Sequence, residues 1–184
     1  GSGTQTSALV YGGDTGSGSY VTTSTESYDG TSFLTTSALA TAKVDVGSAG
    51  ADNTSAVAYG GATFPNTSAT EEFNSSTLVT TAAAWASGGS MNTSRRYMAG
   101  LGTRPASLAA GGSTSSPGLN ETANSEEYDG TSWSEGNNLN TARVGLGGAG
   151  TQTSSIAAGG RTPGNIEEVS AEEYNGTSWT NISN

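Results

Sequence analysis

The chain contains no cysteine and no histidine among its 184 residues. Without cysteine there can be no disulfide and no thiol nucleophile, and the sequence carries no mark of its redox compartment. Without histidine there is no Ser-His-Asp triad, and the loss of both residue types removes the usual zinc ligands. These absences exclude the commonest forms of nucleophilic and zinc catalysis, and we expect no enzymatic activity.

Basic residues are also few, with six Lys and Arg against sixteen Asp and Glu and a net charge of −10. Six cations cannot form a phosphate-binding stripe, and an anionic membrane surface is disfavoured for the same reason. No apolar run approaches transmembrane length, and no segment has the pattern of a signal peptide. We therefore expect neither nucleic acid binding nor membrane insertion. Because the first residue is not Met, we expect a processed product or a fragment of something longer.

Large apolar side chains are scarce as well, since only 32% of the residues are hydrophobic. This composition alone would suit a disordered chain, but the aromatic residues recur in order. Diglycines recur with them, at spacings of 48, 51 and 48 residues, as Gly12-Gly13, Gly60-Gly61, Gly111-Gly112 and Gly159-Gly160. A period near 50 indicates one supersecondary unit that is repeated along the chain.

Each repeat offers four short strands in the same order. A turn such as Asn140-Thr141-Ala142-Arg143 precedes a small, apolar first strand, predicted here at residues 144–147. The second strand ends at the diglycine, and the third carries Glu and an aromatic residue. An Asp-Gly or Asn-Gly pair then predicts a tight hairpin into the fourth strand, because both central positions need a positive φ. The sequence therefore predicts an all-β, single repeat domain, with repeats at approximately 1–38, 39–90, 91–138 and 139–184.

The second repeat allows two alignments of its fourth strand, beginning at either Leu78 or Trp85. We favour Trp85, which lies ten residues before Arg95, just as Trp133 lies ten residues before Arg143. This repeat then carries a seven-residue insertion at about residues 75–81, a size that surface loops tolerate.

The recurring aromatic residues are the predicted core. Burial of each would contribute roughly 2–3 kcal/mol. They could instead form a platform on which sugars stack, but their regular recurrence favours core packing. The predicted core residues are Tyr28, Phe33, Phe73, Trp85, Tyr128, Trp133, Tyr174 and Trp179.

A diglycine, a spaced Tyr, a Trp and an Arg-containing turn between units together resemble the kelch repeat. Gly159-Gly160, Tyr174 and Trp179 match this pattern, and the third repeat matches it too. The resemblance implies β-propeller blades of four antiparallel strands. Phrases such as Glu-Glu-Tyr-Asp-Gly-Thr-Ser-Trp are similar to low-complexity kelch-like repeats in predicted structural proteins of marine bacteriophages and in environmental surface proteins. That likeness implies a virion or extracellular location.

The chain departs from a whole propeller at its start. It has four diglycines at the repeat period, with Gly88-Gly89 and Gly147-Gly148 outside it, but only three Asn-Thr-Ala-Arg-type turns, so the first blade is expected to lack most of its inner strand. Three explanations remain open: a small four-bladed ring with an incomplete blade, a fragment of a larger ring, or a subunit completed by a neighbour. We hypothesise that an edge beside the first blade is filled in trans by strand addition.

One acidic position recurs in every repeat, at Glu26, Glu71, Glu126 and Glu172. A ring of these carboxylates would bind Ca²⁺ or a cationic ligand. The favoured interpretation is structural, because basic residues recur with the same period and would form ion pairs that fix blade registry; these are Lys43, Arg95 and Arg143. Paired carboxylates also serve glycoside hydrolysis, but a catalytic pair is normally unique and these are repeated. No cofactor is expected, with Ca²⁺ as the alternative.

The loops after the diglycines differ most between repeats and are the candidate binding surface. Solvated loops without a ligand are the alternative, and the glycosylation triplets among them are expected by chance in so polar a chain. The candidate binding residues are Asp14, Thr15, Ser19, Tyr20, Phe64, Asn66, Asn120, Glu121, Arg161 and Asn165.

The expected function is therefore that of a non-enzymatic structural or adhesive protein, in a phage virion or an extracellular assembly. Its expected partners are other proteins of the assembly or copies of itself. A carbohydrate-binding, lectin-like propeller with glycan partners is the alternative.

Overall fold

The computed structural model describes residues 1–16, 21–63, 65–75, 84–116 and 118–182. Within these ranges all regular structure is β, arranged in four antiparallel sheets of four strands and one two-stranded hairpin. The predicted all-β fold is confirmed. The four larger sheets follow one another along the chain, and we call them units 1 to 4.

Each unit is formed by successive strands that pair with their neighbours in sequence. Unit 1 contains β1 (Ser2–Thr4), β2 (Ser7–Tyr11), β3 (Thr25–Tyr28) and β4 (Phe33–Thr35). Unit 2 contains β5 (Gly47–Asp52), β6 (Ser55–Tyr59), β7 (Thr70–Asn74) and β8 (Ala84–Ser87). Unit 3 contains β9 (Ala99–Thr103), β10 (Ala106–Ala110), β11 (Ser125–Tyr128) and β12 (Trp133–Glu135).

Unit 4 begins with β13 (Gly147–Thr151) and β14 (Ser154–Ala158). A short hairpin follows, formed by β15 (Arg161–Thr162) and β16 (Ile166–Glu167), and it lies outside the four-stranded sheet. The unit then ends with β17 (Ala171–Tyr174) and β18 (Trp179–Ile182).

The aromatic hairpins form as the Asp-Gly and Asn-Gly signals predict. In unit 3, Tyr128 lies directly opposite Trp133, and Asp129 accepts the backbone N–H groups of Thr131 and Ser132 within the turn. Phe73 lies opposite Trp85 in the same way, which confirms Trp85 as the equivalent aromatic of unit 2. The rejected alternative, Leu78, lies outside the described residues.

The diglycines connect one unit to the next. All eight of these glycines have positive φ, a conformation that residues with a Cβ rarely adopt. The backbone N–H of Gly61, for example, donates to the carbonyl of Arg95 at the start of unit 3, over 2.7 Å. Gly13 and Gly112 make the same bond to the basic residues that open units 2 and 4. The recurring diglycine is therefore part of the joint between units.

The first strands of the four units line one shared cavity of about 240 Å³. A Cβ built on Gly100 of β9 would overlap the backbone of Ser48 in β5, so these strands approach too closely for larger residues. The small, apolar composition of the first strands therefore has a packing cause.

The hydrophobic core lies between successive units, in three clusters. Leu9, Tyr11 and Phe73 belong to the cluster between units 1 and 2. The next cluster contains Val57, Tyr59, Tyr128 and Trp133, and the last contains Leu101, Leu108, Tyr174 and Trp179. Each unit is thus stabilised mainly by the one beside it, as in other repeat proteins.

Two of the eight predicted core aromatics depart from the expectation. Phe33 is 56% exposed and Tyr28 is half-buried, whereas the half-buried Trp85 packs against the cluster between units 1 and 2. Phe33 and Tyr28 lie in unit 1, which has no preceding unit to cover them in the described chain. Their predicted core placement is wrong because it assumed that every unit has a neighbour on both sides.

Two predicted strand positions also need correction. Residues 144–147 were predicted as the first strand of the last repeat, but β13 begins only at Gly147, and Val144 instead forms an isolated bridge with Arg161. Because the strand starts later than predicted, residues 2–4 supply most of its equivalent in unit 1. The expectation that unit 1 lacks most of its inner strand is therefore wrong.

Candidate functional site

One hydrogen bond recurs at every contact between successive units. The indole N–H of the fourth-strand Trp donates to a hydroxyl on the third strand of the preceding unit. The distances are 3.3 Å for Trp85 to Thr25, 2.9 Å for Trp133 to Thr70, and 3.1 Å for Trp179 to Ser125. Because the bond is directional, it fixes the position of one unit relative to the next. Apolar packing alone does not fix this position.

A second hydrogen bond joins third strands across two of these contacts, between units 2 and 3 and between units 3 and 4. Tyr128 donates to Glu72 over 2.7 Å, and Tyr174 donates to Glu127. Burial raises the pKa of Tyr128 to about 12, and the Glu72 carboxylate adds to the rise. The phenol therefore remains a hydrogen-bond donor at neutral pH.

Buried ion pairs hold the opening turn of each unit to its own third strand. Lys43 pairs with Glu71 over 3.0 Å, Arg95 with Glu126 over 2.8 Å, and Arg143 with Glu172. All three cations are completely buried. The ion pairs predicted from the shared period are thus present in units 2, 3 and 4.

The pair in unit 3 shows how the charges are compensated. Arg95 also donates to the carbonyls of Gly111 and Asn124, while Glu126 also accepts the backbone N–H of Asn92. Burial lowers the pKa of Arg95, and the neighbouring Glu126 carboxylate opposes that change. These charged groups are enclosed and paired with one another, although the Nε of Arg95 has no hydrogen-bond partner among the described residues.

Glu26 is the exception in this series. It is exposed, and the described chain gives it no ion pair, so its predicted registry role is wrong. The basic residues that pair with its counterparts come from the turns before the first strands of units 2, 3 and 4. Across the described ranges, no group of three acidic side chains is placed to hold a metal ion.

A cleft of about 680 Å³ lies among the loops of units 3 and 4. Its lining includes Arg96, Tyr97, Leu119, Arg161 and Val169. The guanidinium of Arg96 lies 4.7 Å from the centre of the Tyr97 ring. Tyr97 is 37% exposed and has a φ of 56°, which is strained for a residue of its size. The cleft thus combines an aromatic face with two cations and with two carboxylates, those of Glu167 and Glu168.

Of the predicted binding residues, Arg161 is in this cleft. Its guanidinium donates to the side chain of Asn165 over 3.1 Å, so the structure brings these two predicted residues together. Arg96 and Tyr97 were missed by the sequence analysis. The one available signal is the Arg95-Arg96 pair, because units 2 and 4 have a single basic residue at this point, Lys43 and Arg143.

The remaining predicted binding residues are dispersed. Asp14 and Thr15 are exposed in unit 1, where Asp14 accepts the N–H of Gly16. Asn120 is exposed and donates to Thr114, and the half-buried Glu121 bridges to Ser113. Ser19, Tyr20 and Phe64 lie outside the described residues.

Asn66 has a structural role that the sequence analysis did not anticipate. Its side-chain amide donates to the carbonyl of Ser113 in the next repeat over 3.0 Å. This contact ties the loop of unit 2 to the loop of unit 3. The loop surface is therefore partly held by contacts between neighbours.

No protein-family model matches the chain, and no curated protein matches it either. In the parts of the chain that the structure describes, no helix is long and apolar enough to span a bilayer. Function is therefore inferred from the chain's own geometry.

Proposed function

We propose that the protein is a kelch-like β-propeller that acts as a non-enzymatic structural or adhesive component of a phage virion or an extracellular assembly. The observation that carries this proposal is that the polar groups fall into two classes, one repeated and buried, the other variable and in loops. Buried ion pairs recur at one position in units 2, 3 and 4, whereas the loops after the diglycines differ from unit to unit. A rigid scaffold with divergent loops is typical of proteins whose task is binding.

The propeller arrangement is supported by how the units contact each other. Their first strands share one cavity, and their aromatic third and fourth strands pack against the preceding unit. Blades of a propeller are four-stranded sheets that surround a central channel in this order.

The proposal that the protein is not an enzyme is supported by the structural role of its buried charged groups. A catalytic carboxylate pair is normally unique to one site, whereas the acidic positions here are repeated, and Glu71, Glu126 and Glu172 are buried in ion pairs. Detectable turnover of a polysaccharide would overturn this part of the proposal.

Carbohydrate binding is the second candidate, and the cleft beside Tyr97 favours it. The partly exposed ring offers an apolar face, and the exposed Arg161 offers hydrogen-bond donors beside it, while the buried Arg96 is held by the carbonyls of Ser115 and Gly118. A concave site with an aromatic wall and a few polar groups is typical of small-ligand recognition.

A glycan panel with two matched variants separates these functions. Tyr97→Ala removes the aromatic wall of the cleft, and Phe33→Ala removes another exposed aromatic that lies outside it. Glycan binding that Tyr97→Ala abolishes and Phe33→Ala preserves would establish the lectin function. A regular assembly observed by electron microscopy, with no glycan bound, would support the scaffold.

A further inference from the structure

The two ends of the stack of units expose surfaces that are buried everywhere else. On unit 1, Val10 is 48% exposed and Phe33 is 56% exposed, and both lie on the face turned away from unit 2. On unit 4, Ile156 is 47% exposed, whereas its counterpart Leu108 in unit 3 is completely buried. We call these surfaces the leading face of unit 1 and the trailing face of unit 4.

We propose that the trailing face of unit 4 binds the leading face of unit 1 in a second copy of this chain. The proposal rests on the propeller architecture given above and identifies one partner of that architecture. The proposed contact repeats the one between successive units, in which the third and fourth strands of one unit pack against the unit before it. Three positions on these faces support it.

The first position is that of the indole hydrogen bond. At every internal contact, a Trp on one side meets a Thr or Ser on the other. At the ends, the Trp position holds Phe33 and the hydroxyl position holds Ala171. Donor and acceptor are therefore missing together. Loss of only one would leave a buried polar group without a partner, which is costly, whereas loss of both is nearly neutral.

The second position is that of the Tyr–Glu hydrogen bond. Units 2 and 3, and units 3 and 4, are joined by this bond. Between units 1 and 2, the Tyr position holds Phe73 and the Glu position holds Ser27, so both groups are missing. The end faces carry both groups, as Tyr28 and Glu173. Glu173 is exposed here, while the two bonded glutamates are half-buried. The two faces again match each other.

The third position is a glutamine in the turn between first and second strands. Gln152 of unit 4 donates to the carbonyls of Ser107 and Tyr128 in unit 3, over 3.0 and 2.8 Å. Gln5 occupies the same place in unit 1, within an identical Gly-Thr-Gln-Thr-Ser sequence, and is exposed. Its carboxamide is therefore available for the carbonyls of a partner's unit 4.

The partner is a second copy because the two faces of one chain do not meet. Both remain exposed in the structure. A head-to-tail contact closes into a ring when the rotation per subunit permits, and β-propellers have four to eight blades. Two copies of the four described units supply eight, which lies within this range. The expected assembly is a closed ring of two copies.

The test measures self-association of the 184-residue chain by light scattering and sedimentation. Ile156→Asp and Val10→Asp each place a charge on one end face. Ile166→Asp is the matched control, because Ile166 is also exposed, at 64%, and lies on the β15–β16 hairpin outside the four-stranded sheet and outside the cleft. We expect the wild type and the control to have twice the chain mass of 18.2 kDa. Each end-face variant should weaken the dimer about tenfold or more, because burial of an unpaired charge is costly.

A wild-type chain that stays monomeric at about 0.1 mM would overturn the inference, as would open polymers longer than two copies. Equal association of all four proteins would also overturn it. Thermal unfolding of each variant verifies that the substitutions, all at exposed positions, leave the monomer folded. If the chain is monomeric but Trp133→Phe still destabilises it, the propeller stacking stands and only the second copy is lost. If Trp133→Phe has no effect, the stacking itself fails.

Discussion

Trp133 donates its indole N–H to the hydroxyl of Thr70 in the preceding unit, over 2.9 Å and inside the core. The same bond joins the other two pairs of successive units. In a chain so poor in large apolar residues, this contact combines burial of an aromatic ring with a directional bond. It therefore supplies both stability and the register of one unit against the next.

Loss of this bond is expected to destabilise the fold. Trp133→Phe should lower the free energy of unfolding by about 1–3 kcal/mol, because the buried hydroxyl of Thr70 is left without its donor. Thr70→Val should have a similar effect, because it strands the indole N–H. Urea denaturation of both single variants and the double variant measures the coupling between them. Strictly additive losses would contradict a direct bond.

The buried ion pairs are expected to contribute far more than the exposed equivalent. Glu126→Gln leaves the enclosed Arg95 without its counter-charge and should cost about 3–5 kcal/mol. Glu26→Gln is the matched control, because Glu26 occupies the same position in unit 1 but is exposed and has no ion pair in the described chain. It should change stability by less than about 0.5 kcal/mol. Equal losses in the two variants would contradict a structural role for the buried pair.

The aspartates of the hairpin turns are expected to affect how the stability of the fold changes at acid pH. In the folded protein, the backbone N–H groups of Ser132 and Thr131 hold the pKa of Asp129 below its ordinary value of 3.8. The ionised Asp129 carboxylate therefore stabilises the folded protein fully above its unfolded-state pKa. This contribution is lost as the pH falls through the lower pKa of the folded state. Asp129→Asn should flatten the loss of stability below about pH 4.

Unit 4 already contains an asparagine at the position of Asp129, and it serves as a control for this substitution. Asn175 accepts the N–H groups of Thr177 and Ser178 over 2.9 Å each, so an amide supports the same turn. Asp129→Asn should therefore leave stability at pH 7 nearly unchanged, as followed by urea denaturation across the pH range. An acid response identical to that of the wild type would refute the assignment.

Local signals predicted much of this fold. The Asp129-Gly130 turn and the opposition of Tyr128 to Trp133 depend on a few adjacent residues. The pairing of Arg95 with Glu126 was predictable because both recur with the repeat. The constant distance to Arg95 identified Trp85 despite the insertion before it.

Features that depend on neighbouring units could not be read in the same way. Phe33 has the sequence setting of a core residue, and it is exposed because no other unit covers it among the described residues. The cleft joins Tyr97 of unit 3 to Arg161 of unit 4, and neither residue recurs with the period. Such sites depend on how two loops meet in space, which one repeat does not encode.

The central claim is that the end faces of this chain share the interface that joins its units. The most direct test is the dissociation constant of self-association for Phe33→Trp, Ala171→Ser and the double variant. Each single change strands one polar group and should weaken association about tenfold, while the double variant recreates the internal Trp–Ser bond and should return to within about threefold of wild type. Losses that simply multiply, or variants that all associate alike, would contradict the claim.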